Sequence, residues 1–122
     1  MHLDVSSSLN SGEGKNKLQG EALYSLRDML VKNKILTDLN IAGNSIGLFG
    51  VKTIAEAFLR LERDNSSSHK ISPLISLNLG SNDLNDELCY EPLKLILAKA
   101  KHLKILTLAH NKIGDLGMEE VF

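Results

Sequence analysis

The chain has 122 residues, a formal net charge of −1, 43% apolar residues and 24% charged residues. That allows one domain or part of one, with enough apolar material for a core and no charge excess that would draw polyanions. A single cysteine excludes an internal disulfide, and no apolar run reaches the roughly 20 residues of a membrane-crossing helix.

Residues 1–15 read as a flexible lead-in, because Ser6 to Ser8, Gly12 and Gly14 favour a mobile chain. The alternative places Leu3-Asp-Val5 in an edge strand. No basic stretch with an apolar core follows Met1, so no secretory signal is expected. With the lone cysteine this points to the cytoplasm. Gly12-Glu-Gly14-Lys15 is not a phosphate loop: Leu9 stands where the first glycine is needed and Asn16 where Ser or Thr is needed.

Leucine occurs 23 times and tryptophan never, a bias that calls for a repeat search. Asn16-Lys-Leu18 opens a degraded copy, and Leu26, Met29 and Leu30 have helical spacing after it. The first full copy is Leu36-Thr-Asp-Leu39-Asn-Ile41-Ala-Gly-Asn44-Ser-Ile46, followed by a helical pattern from Gly50 to Leu61. Asp64 to Lys70 is polar and Ser-rich, a tolerated loop extension by its composition. The second copy is Leu74-Ile-Ser-Leu77-Asn-Leu79-Gly-Ser-Asn82-Asp-Leu84, followed by a helix over Leu93 to Ala100. The third is Leu103-Lys-Ile-Leu106-Thr-Leu108-Ala-His-Asn111-Lys-Ile113, and another helix begins after Gly114. All three read L-x-x-L-x-[LI]-x-x-N-x-[LI].

The pattern resembles the leucine-rich repeat. The 29 residues from Asn82 to Asn111 are similar to the long, helix-containing, ribonuclease-inhibitor-like subtype, and the 38 from Asn44 to Asn82 carry about nine extra. The resemblance implies an α/β solenoid: a right-handed β-α superhelix with short parallel strands on the concave side and helices on the convex side. The array is expected to occupy residues 16–122, with a degenerate first and a truncated last repeat.

Period-two alternation puts Leu39 with Ile41, Leu77 with Leu79 and Leu106 with Leu108 on one strand face, toward the helices. Asn44, Asn82 and Asn111 stand where the chain leaves each strand. A carboxamide both donates and accepts, so the three are expected to form a structural ladder that satisfies turn backbone. The opposite strand face is the candidate partner surface, with Asp38, Asn40, Ser76, Asn78, Ile105, Thr107 and His110.

Other constellations have structural explanations. Asp83, Asp86, Glu87 and Glu91, and again Asp115, Glu119 and Glu120, lie at helix starts and complement the dipole. Lys99, Lys101, His102 and Lys104 lie near a helix end for the converse reason, without the aromatic residues that stack nucleic-acid bases. Cys89 has no activating neighbour in sequence and reads as a small apolar residue near a helix start. No histidine pair has metal-ligand spacing, so no metal, cofactor or catalytic centre is expected.

A rigid repeated surface suits a macromolecular partner better than a small substrate. The expected role is a protein-interaction module or scaffold, binding another protein rather than nucleic acid or membrane. The resemblance also implies two alternatives: GTPase activation in the manner of Ran regulators, and the ligand-sensing segment of an intracellular immune-type receptor. The C-terminal repeat has no polar capping unit, which adds self-association to the expectations.

Overall fold

The computed structural model describes residues 2–4, 20–63, 72–84 and 87–111. Strands and helices alternate: β1 (His2–Asp4), α1 (Glu21–Lys32), β2 (Asp38–Asn40), α2 (Gly47–Arg63), β3 (Ser76–Asn78), a 3-10 turn (Glu87–Cys89), α3 (Tyr90–Lys99) and β4 (Ile105–Thr107). The strands form one parallel sheet in the order β1-β2-β3-β4. A helix separates each strand from the next, the crossover that parallel neighbours require. Leu3, Leu39, Leu77 and Leu106 align in register across the four strands.

Each helix covers one face of this sheet with residues at helical spacing. α1 buries Leu23, Leu26 and Leu30. α2 buries Val51, Ile54, Ala55, Phe58 and Leu61, and α3 buries Leu93 and Ile96. All of these but Leu61 form one apolar cluster with Leu39, Ile41, Leu77, Leu79 and Leu84. Cys89 is fully buried in the same cluster, ahead of α3. Pro92 sits in the first turn of α3, where its missing N–H breaks no helical bond. α1 ends at Asn33: its N–H bonds the Met29 carbonyl, and its Oδ1 accepts the N–H groups of Ile35 and Leu36, turning the chain toward β2.

Two details differ from the sequence reading. His2–Asp4 is a paired strand rather than lead-in, because Leu3 lines up with Leu39 and packs on the core. α2 begins at Gly47 rather than Gly50 and continues to Arg63. Gly50 is needed for close packing there: a Cβ on it would fall 2.3 Å from the Ile46 Cβ. The Ser-rich extension 64–70, the degraded copy's Asn16, the last helix pattern and the uncapped end proposed for self-association lie outside the described residues.

Candidate functional site

The site is assembled from the turns that leave the strands and from the sheet face opposite the helices. Asn44, Asn82 and Asn111 are all buried, at 0%, 0% and 2% exposure. The Asn82 Oδ1 accepts the Asn44 N–H at 2.9 Å, and the Asn111 Oδ1 accepts the Asn82 N–H at 2.7 Å. The Asn111 Oδ1 also accepts the Leu84 N–H at 3.1 Å. Each Nδ2 donates within its own turn and, from the second copy on, back to the previous one. Asn82 Nδ2 reaches the carbonyls of Gly80 and Ile41 at 3.1 and 3.0 Å. Asn111 Nδ2 reaches those of Leu108 and Leu79 at 3.1 and 2.8 Å. One carboxamide thus links two successive turns through both its donor and its acceptor, a role that neither leucine nor a carboxylate can fill.

The turn also demands unusual backbone. The residue before each of these asparagines has positive φ: Gly43 at 74°, Ser81 at 51° and His110 at 60°. After the asparagine, Ser45 and Asp83 repeat this at 52° and 62°. Glycine accepts this region freely; the others hold it at a cost because the surrounding hydrogen bonds require it. Backbone pairing continues into the turn, with the N–H of Gly43 on the Gly80 carbonyl and that of Ser81 on the Ala109 carbonyl, both at 2.9 Å.

The open sheet face carries two rows of side chains in register. One row is His2, Asp38, Ser76 and Ile105; the other is Asp4, Asn40, Asn78 and Thr107. Asp38, Asn40, Ser76, Asn78 and Thr107 line a shared shallow depression of about 260 Å³, and Asp38 meets His2 at its edge. Ile105 stands beside Ser76 in register and is 56% exposed, an apolar side chain offered to solvent. His110 does not line the depression; it occupies the left-handed turn position before Asn111.

Two of the expected contact residues have structural work as well. The Asn40 Oδ1 accepts the Ala42 N–H at 3.1 Å, and the Asn78 Oδ1 accepts the Gly80 N–H at 2.9 Å. Each closes a local turn with its own backbone two residues on. The sequence signal is the Asn-x-Ala/Gly spacing, which coincides with outward strand positions and so looks like surface alone.

Sequence reasoning also missed a surface network on the helix layer. Arg27 of α1 bonds Glu56 of α2 at 3.3 Å and lies 4.8 Å from the centre of the Tyr24 ring. Arg60 contacts both Glu56 and Asp28, at 3.0 and 3.4 Å. Tyr24 meets Phe49 edge to face at 5.7 Å. Arg27–Glu56, Arg60–Asp28 and Tyr24–Phe49 tie the first two helices together across 25 to 32 residues of sequence, so no local pattern announces them. Among the described residues no group of three or more His, Cys, Asp and Glu is placed to hold a metal ion. No described helix is long and apolar enough to cross a membrane.

Comparison with known proteins gives a consistent result. Residues 32–55, 70–87 and 99–122 match the family described as Leucine Rich repeat. The chain is 32% identical over 94 residues to NACHT, LRR and PYD domains-containing protein 3 of Bos taurus, covering 77% of this chain and 8% of that protein. It is 31% identical over 110 residues to the Macaca mulatta protein of the same name, covering 90% and 9%. It is 34% identical over 103 residues to NACHT, LRR and PYD domains-containing protein 13 of Homo sapiens, covering 84% and 9%. The chain therefore spans less than a tenth of the length of these curated relatives.

Proposed function

Because this chain belongs to the leucine-rich repeat family, whose members typically bind other proteins, we propose that it is a protein-interaction module that holds its partner on the open face of its sheet. The observation that carries this reading is the four-strand face itself. It presents two registered rows of mostly small polar side chains with an exposed Ile105 at the end of one row, on strands braced by buried asparagines. Rigid elements of this kind lose little entropy when a partner orders against them. Small side chains let a partner's backbone approach closely, and Ile105 supplies an apolar contact.

The 29-residue spacing and the helical crossovers favour the long, ribonuclease-inhibitor-like subtype, with the open face as the concave side of a curved array. We assign the module no catalytic step of its own, and the cytoplasm is the compartment that suits it. A second reading has a specific support: the relatives carry NACHT and PYD domains by name, which favours reading this stretch as a ligand-sensing segment of an intracellular immune-type receptor.

The test is quantitative affinity capture from native cell extract with the wild type and with Ser76→Arg combined with Ile105→Glu. The pair adds bulk at one outward position and replaces an apolar side chain by a charge at its neighbour, leaves net charge unchanged, and avoids Asn78, whose side chain closes a turn. A partner held by the wild type and depleted about tenfold or more from the variant supports the open face. Equal capture by a variant with unchanged circular dichroism and urea midpoint removes it.

A further inference from the structure

A second surface lies at the other end of the strands, apart from the open face. Where the chain enters β2, β3 and β4, a groove of about 390 Å³ runs between the ends of α1 and α2 and the segments leading into β3 and β4. Val31, Leu61, Pro73 and Ile75 supply its apolar lining. Lys34, His102 and Lys104 supply its polar edge together with Asn33, and no carboxylate lines it among the described residues. Lys34, His102 and Lys104 are exposed, and Ile75 is 36% exposed.

Lys32, Lys34, Lys101, His102 and Lys104 lie on the side where the chain enters the sheet, whereas the exposed Asp83 and Glu87 follow β3 on the side where it leaves. Complementing two helix ends accounts for the lysines nearest α1 and α3. It does not account for an apolar trough between them.

We propose that this groove is a docking site for a short acidic peptide segment of a partner protein, with an aliphatic side chain seated on Ile75 and Leu61 and flanking carboxylates paired with Lys34 and Lys104. The apolar lining favours a peptide over a nucleic acid, because among the described residues the groove holds no Phe, Tyr or Trp platform for bases. Exposed ion pairs contribute little each, so the apolar contact supplies the anchor and the lysines supply orientation and rate of encounter.

The test uses the full chain and a fluorescein-labelled peptide in which two leucines are flanked on both sides by glutamates, followed by anisotropy. The wild type should bind saturably at low ionic strength, and binding should weaken about tenfold in Lys34→Glu combined with Lys104→Glu. It should weaken about threefold or more in Ile75→Ser, which removes the apolar contact without changing charge. Lys52→Glu, on the exposed side of α2, changes net charge elsewhere and should bind as the wild type does. No binding by the wild type, or equal binding by the Lys34/Lys104 variant, overturns the proposal. So does an oligothymidylate that displaces the peptide and ignores Ile75→Ser, which would mark a general polyanion surface. Concentration-dependent dimerisation lost in the Lys34/Lys104 variant would replace the partner with a second copy, and equally overturns it.

Discussion

At the ends of β2, β3 and β4 the chain follows nearly the same path each time. A left-handed residue precedes a buried asparagine, and the asparagine's carboxamide bonds its own turn. The helices that follow differ. After Asn44 the chain enters a 17-residue helix directly, while after Asn82 it passes through a 3-10 turn into one of 10 residues. The sixth residue past the asparagine shows the contrast. It is Gly50 in one repeat, buried against Ile46, and Leu88 in the other, 63% exposed. A turn must place donors and acceptors within about 3 Å of partners one repeat away, and few sequences do this. A helix layer need only fill volume with apolar groups, and several lengths and registers succeed.

Breaking the turn should therefore cost more than disturbing the layer. Asn82→Ala strands the Asn44 N–H and removes the donor to two carbonyls, and should lower stability by about 3 kcal/mol, measured as a reduced urea midpoint. A loss below that of Gly50→Ala would reverse the ranking. Gly50→Ala tests the helix side where it is tightest. Its new methyl must displace Ile46, at an expected cost of about 2 kcal/mol in the same assay.

Smaller effects sharpen the contrast. Ser81→Gly relieves a left-handed serine at a φ of 51° and should stabilise by about 0.5 to 1 kcal/mol, relief of strain outweighing the flexibility added to the unfolded chain. A destabilised variant would show that the serine side chain has a further role. Glu56→Ala removes the carboxylate shared by Arg27 and Arg60 and should cost only about 0.3 kcal/mol, since all but Arg27 are well exposed. Repeating that measurement in about 1 M salt should abolish most of the difference, because screening weakens the same pairs in the wild type.

The repeat, the inward leucines and the buried positions of Asn44, Asn82 and Asn111 were legible because they recur at fixed offsets. Less was legible of the candidate surface. Its seven expected residues sort into five that line one depression, Ile105 beside them in register, and His110, which the turn claims. Asn40 and Asn78 face outward yet bond their own backbone, a double use that alternation of polar and apolar residues does not reveal. β1 was similarly ambiguous. Three residues carry too little pattern to choose between strand and lead-in, and only pairing with β2 decides it.

The amino-acid sequence by itself determined the repeating unit, its strand faces and the residue type at each turn, since these depend on local periodicity and on the bonding capacity of one side chain. Tertiary structure alone decided which distant groups meet: Arg27 with Glu56, His2 with Asp38, and Lys34 with Lys104 across one groove. Those meetings do not follow from spacing in the sequence, which varies between equivalent asparagines: 38 residues from Asn44 to Asn82 and 29 from Asn82 to Asn111. Stacking brings such segments side by side whatever their separation in sequence.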